Sequence, residues 1–322
     1  MLAVRSLIAA LLLLGAPPAA EAQQPGRIPR IGVLTLGTSP HLAAFETGLR
    51  ELGYVDGKNI VVERRHANGE PARLPGLAAE LVRLGVDVIA APDPPSALAV
   101  RSATGTIPIV IRSTDDPVER GLVKSLARPG GNITGVYSLS AELSPKRLEL
   151  LKEAFPHITR VAVLRNPALP IGPDRWGEVE LAARSLGLTV ISAEASNSDE
   201  LEGAFRTALR QRAEALMTLR NPVIVAAKNR VVELAAKNRL PAMYDERDFV
   251  EAGGLMAYGA NLDDLYRRIA AYVEKILKGA RPADLPIERA TKFELIINVK
   301  TVRAMALTIP PGFLIRVDHV VE

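Results

Sequence analysis

The sequence predicts an α/β protein of two Rossmann-like lobes, each a parallel sheet covered by helices on both faces, hinged so that a cleft lies between them. Three observations lead there. Short β-branched runs alternate with amphipathic helical patterns from Ile31 onward, the mark of strand–crossover–strand units. The alternation restarts near Ser144, after the turn-rich stretch Arg128-Pro129-Gly130-Gly131-Asn132. The chain has 322 residues, more than one small core organises, and two units of about 150 residues fit that length.

The first residues read as a secretory signal. Arg5 supplies a thin basic region, Leu7 to Leu14 a short apolar core, and Ala20-Glu21-Ala22 an A-x-A cleavage site before Gln23. A bilayer span needs about 20 apolar residues, so 1–22 is expected to be a removed signal rather than an anchor, with 23–29 a linker.

The first strand is Ile31 to Leu36, followed by a helix with Leu42, Phe45, Leu49 and Leu52 at helical spacing and Gly53 as its cap. Ile60 to Arg64 is the second strand, and Leu74, Leu77, Ala78, Leu81 and Val82 share one face of the next helix, closed by Gly85. Val86 to Ala91 and Ile107 to Ile111 flank a helix from about Pro95 to Ala103, and Ile133 to Tyr137 is a fifth strand. Ser144-Pro145 then opens a helix, with proline at its first position. Strands at Arg160 to Leu164, Leu188 to Ser192, Ala215 to Thr218, Leu240 to Tyr244 and Leu255 to Tyr258 form the second run. A helix carrying Leu265, Ile269, Tyr272, Val273 and Ile276 ends at Lys278-Gly279, and Phe293 to Asn298 reads as a further strand. Lobe 1 is accordingly assigned to 30–140 plus about 280–322, and lobe 2 to 141–279 with crossover segments. The tail is expected to pack back on lobe 1.

Several chemistries are excluded by composition. With no cysteine, disulfides, thiolate metal sites and a cysteine nucleophile are impossible. The net charge of +4 is mild and dispersed, which argues against a nucleic-acid partner. The four histidines, His41, His66, His157 and His319, show no metal-ligand spacing, and no G-x-S-x-G elbow, P-loop or G-x-G-x-x-G follows a strand. No catalytic residues, metal or cofactor are expected.

Ser125-Leu126-Ala127-Arg128-Pro129-Gly130-Gly131-Asn132-Ile133-Thr134-Gly135 resembles a family signature, as do Arg147-Leu148-Glu149-Leu150-Leu151-Lys152-Glu153 and Glu251 to Gly259. Lys292 to Asn298 and Ile309-Pro310-Pro311 match as well. The family is the ABC-transporter substrate-binding proteins of type I periplasmic-binding fold, in the branch that includes aromatic amino-acid receptors. The resemblance runs from about Arg30 to Glu322. It implies a monomeric receptor whose lobes close over a small molecule, an amino acid or related zwitterion or carboxylate, and which docks on an inner-membrane permease driven by a separate ATPase. The missing cysteine removes the usual lipid tether of exported receptors and points to the periplasm. Two other uses of the same cleft stand beside this one: a sensory ligand-binding partner, and a secreted α/β hydrolase-like enzyme.

Open α/β sheets bind ligands beyond the carboxyl ends of their strands, which confines the candidates to those loops. Thr38 and Ser39 follow the first strand and suit a carboxylate, or else Ser39 caps the helix. Ser96 opens the helix after the third strand, and Ser113 and Asp115 follow the fourth, where Asp115 suits a ligand ammonium. Asn166 and Asn221 sit in two Arg-Asn-Pro turns of lobe 2, as ligand contacts or turn formers. Tyr244 and Tyr258 end two strands and either meet a ligand ring or fill the core.

Overall fold

The computed structural model describes residues 27–140, 142–167 and 175–322. The signal reading of 1–22 falls outside the described residues. In the first half, β1 (Arg30–Thr35), β2 (Val61–His66), β3 (Val88–Ala91), β4 (Ile109–Ser113) and β5 (Ile133–Tyr137) alternate with α1 (Leu42–Glu51), α2 (Leu74–Arg83) and α3 (Pro94–Ala103). The strands pair in parallel in the order β2-β1-β3-β4-β5. β3 and β4 are buried along their whole length, as a strand covered on both faces must be.

The second half repeats this plan. It runs α4 (Ser144–Ala154), β6 (Arg160–Arg165), α5 (Arg175–Ser185), β7 (Thr189–Glu194), α6 (Leu201–Arg210), β8 (Ala215–Thr218), α7 (Pro222–Ala226), α8 (Lys228–Lys237), β9 (Ala242–Tyr244), α9 (Arg247–Glu251) and β10 (Met256–Ala260). Its parallel order is β7-β6-β8-β9-β10, the same winding as in the first half. Each sheet therefore changes winding direction beside its first strand, where the carboxyl ends leave a crevice. Local chemistry aims the loops at that crevice. Asp93 caps α3 by accepting from Ser96 N at 2.9 Å and also accepts from Leu36 N at 3.0 Å, tying the loop after β1 to the start of α3.

The tail departs from the sequence reading, and the departure defines the hinge. α10 (Leu262–Leu277), placed in lobe 2 by its position in the chain, packs instead on the first sheet and α1. Its stripe of Leu265, Ile269, Tyr272 and Val273 meets Phe45 and Leu49, and Gly48 allows the close approach: a Cβ there would stand 3.0 Å from that of Ala270. β11 (Glu288–Arg289) pairs with β5, so this part of the tail does join lobe 1. The expected return of the whole 280–322 segment is corrected beyond it. β12 (Phe293–Asn298) pairs antiparallel with β10, α11 (Val299–Ala304) and α12 (Pro311–Leu314) follow, and β13 (His319–Val321) pairs with β12. An apolar strand such as Phe-Glu-Leu-Ile-Ile-Asn carries no mark of which sheet edge it completes, and the open edge of β10 takes it. The chain thus crosses between lobes after β5, after β10 and between β11 and β12. Three crossovers make a hinge rather than a simple linker. Among the described residues, no helix is long and apolar enough to cross a membrane.

Candidate functional site

The carboxyl ends of the two sheets face each other, and charged side chains meet across the gap. Arg112, next to last in β4, donates from Nε to the carbonyl of Pro92 at 3.0 Å, and its Nη1 lies 3.4 Å from Glu246 Oε1 in the opposite lobe. The other oxygen of Glu246 lies 2.6 Å from Nη1 of Arg220, which follows β8. Arg220 also reaches Asp245 Oδ2 at 3.2 Å, and Ser140 Oγ, on the first crossover, donates to the same oxygen at 3.3 Å. Burial opposes the Glu246 carboxylate, but the arginines outweigh it and hold its carboxyl below the ordinary value. Burial likewise disfavours the Arg220 cation, and Glu246 and Asp245 together raise its pKa above the usual one.

A second cross-lobe contact lies beside the first. His41, in the loop after β1, is buried, with Nδ1 2.6 Å from Asp263 Oδ1 on α10 and Nε2 3.3 Å from Asp248 Oδ1 on α9. Lys228 lies 3.6 Å from the other Asp248 oxygen, and the Tyr266 ring is 5.7 Å from that of His41. Both lobe-2 acceptors, Glu246 and Asp248, sit at the start of the single turn of α9. Behind them Arg147 is wholly buried, donating from Nη1 to the Ser140 carbonyl at 2.6 Å and from Nε to the Tyr258 carbonyl at 2.7 Å. It therefore ties the first crossover to β10, and burial brings its pKa down to about 10.

This bipartite arrangement has known counterparts. The family model described as ABC transporter substrate binding protein matches residues 39–321. The chain belongs to that family. This substrate-binding protein is 30% identical over 280 residues to the tyrosine-binding protein of Clostridioides difficile, covering 85% of this chain and 80% of that one. A Streptococcus pneumonia ABC domain solved in complex with L-Trp superposes with a TM-score of 0.80 at 25% identity, covering 92% of this chain and 100% of the other. The ligand-free, open structure of a Clostridium difficile substrate-binding protein with adhesive properties gives 0.71 at 26% identity, covering 91% and 99%. At nearly equal identity, the lobes here superpose better on the ligand-bound relative.

The residues singled out from sequence are placed unevenly. Thr38 and Ser39 line a cavity of about 250 Å³ with Leu42, Glu46, Arg64 and His66, all of the first lobe. Ser96 is buried in the first turn of α3, its Oγ without a partner. Ser113 Oγ donates to the Asp115 carbonyl at 2.6 Å, and Asp115 pairs with Arg120 and Thr114. Asn221 caps α7, accepting from Ile224 N at 3.0 Å, which is the turn-forming alternative. Asn166 Nδ2 donates to the Ser196 carbonyl at 3.5 Å. Tyr244 is fully buried and stacked on Phe249 at 4.9 Å, and Tyr258 is partly buried against the core of the second lobe with its ring 6.3 Å from that of Phe293. Sequence reasoning missed Arg112, Asp245, Glu246 and His41. A signal existed: Asp245-Glu246-Arg247-Asp248 follows β9 directly, and so dense a charge run at a carboxyl strand end is poorly explained by turn formation alone.

The His41 contact carries a pH dependence. Burial pulls the His41 pKa down, but hydrogen bonds to and charges on Asp248 and Asp263 outweigh it, and the net position lies above the usual imidazole value. A folded-state pKa above the unfolded one contributes stability in full below the unfolded value, near 6.5, and loses it as pH rises through the folded value. His41→Asn is therefore expected to lower the melting temperature most near pH 5.5 and progressively less toward pH 8.5. A difference independent of pH would show that the His41 charge does not hold the lobes.

Proposed function

We propose that this substrate-binding protein is a periplasmic amino-acid receptor that takes a ligand with an aromatic side chain between its lobes and delivers it to a membrane permease powered by a separate ATPase. The carrying observation is the cleft itself, in which cations and carboxylates from both lobes meet where the strand ends converge. A zwitterion suits such a lining, because each of its charged ends finds an opposite charge. The named relatives, one tyrosine-binding and one holding L-Trp, support the choice within that class. The protein acts as a monomer and leaves its ligand chemically unchanged. A ligand that touches both lobes favours the closed state over the open one, and that differential contact drives closure.

The test is thermal unfolding with a panel of amino acids, sugars and nucleosides. L-Tyrosine or L-tryptophan at about 100 times its Kd is expected to add about 2.7 kcal/mol of stability, and to be recovered intact. Stabilisation by sugars or nucleosides alone, or consumption of the amino acid, would overturn the proposal.

A further inference from the structure

The two arginines of the cleft have more donors than their protein partners use. Arg112 spends Nε on the Pro92 carbonyl and Nη1 on Glu246. Arg220 places Nη1 alone against both Asp245 and Glu246. Among the described residues, Arg112 Nη2 and both Nε and Nη2 of Arg220 have no partner. Their side chains are only 5% and 14% exposed, so donors left unmatched there are costly. Nor are these nitrogens sealed away: among the described residues, the fully buried side-chain atoms without a partner are Ser96 Oγ, Tyr137 OH, Thr218 Oγ1 and Asp245 Oδ1. The guanidinium fork matches a carboxylate in two parallel hydrogen bonds, a geometry that lysine cannot reproduce.

We infer that Arg112 and Arg220, one from each lobe and held apart by Glu246, form the seat for the carboxylate of the ligand. Glu246 positions the pair by occupying Nη1 of each, and leaves the Nε–Nη2 edge of Arg220 and Nη2 of Arg112 for the incoming anion. A carboxylate bound to both bridges β4 of the first lobe and the end of β8 in the second. The same contact that recognises the ligand thereby closes the cleft. This inference rests on the amino-acid reading for the rest of the ligand, but the carboxylate seat is separately testable.

Calorimetric titration with three probes of one shape separates the two. L-Tyrosine carries both charges, tyramine lacks the carboxylate, and 3-(4-hydroxyphenyl)propionate lacks the ammonium. The native protein is expected to prefer L-tyrosine to tyramine by about 100-fold, and Arg220→Met or Arg112→Met to reduce that preference to less than about 10-fold. Circular dichroism checks that each variant is folded. If the propionate binds and L-tyrosine does not, the amino-acid reading fails and the seat stands. If tyramine binds as well as L-tyrosine, if no carboxylate probe binds, or if folded arginine variants keep the full preference, the seat is wrong.

Discussion

Replacing Gly259 by alanine is expected to cost about 3 kcal/mol and to lower the melting temperature of this substrate-binding protein by about 5 °C. Gly259 lies in β10, and a Cβ there would stand 2.2 Å from the carbonyl oxygen of Asp245. Backbone cannot step aside as a flexible side chain can, so β10 must part from the segment that carries Asp245 and Glu246. Stability and ligand binding should therefore fall together. Gly37 is the control: a Cβ at that position would meet no heavy atom within 4 Å, and Gly37→Ala should leave the melting curve nearly unchanged. Equal melting temperatures for the two variants would show that β10 and the Asp245 segment are not packed as described.

Arg147→Met should be nearly as damaging, at about 3 kcal/mol, for a different reason. Methionine fills much of the volume but leaves the Ser140 and Tyr258 carbonyls without their donor. Those carbonyls belong to the first crossover and to β10, so their loss loosens lobe 2 where the hinge leaves it. Arg147→Lys should recover only part of the stability, because one ammonium cannot span both acceptors as the guanidinium does. Urea unfolding measures both. Full recovery by lysine would reduce Arg147 to a buried charge with no bridging role.

Much of the fold was legible in the sequence because its signals are local. The helical spacing of Leu265, Ile269, Tyr272, Val273 and Ile276 marked α10, and Gly53 and Gly85 stand past their helices with φ of +87° and +61°, as helix caps do. Where α10 packs was not legible, since an apolar stripe alone does not name its partner sheet, and the close fit of Gly48 to Ala270 is made only in the folded chain. The sheet joined by β12 was hidden for the same reason. The cleft was legible in outline and not in detail. Strand ends led to the loops that flank the cleft, yet the reading favoured hydroxyl and amide residues there, and Asn221 and Ser113 spend those groups on their own turns. Arg112 sits inside a strand and meets a partner 134 residues away, a pairing no local pattern announces.

A receptor that grips a small ligand between two lobes must bring those lobes together on binding. The chain has no cysteine, so one can be introduced at Glu70 and one at Ser198, exposed positions beyond β2 and β7 on opposite lobes, and spin-labelled without interference. The distance between the labels, measured by pulsed electron resonance with and without saturating L-tyrosine, should collapse from a broad distribution to a single shorter one. An identical distribution in both samples, with calorimetry showing the site filled, would show that the lobes do not close on the ligand.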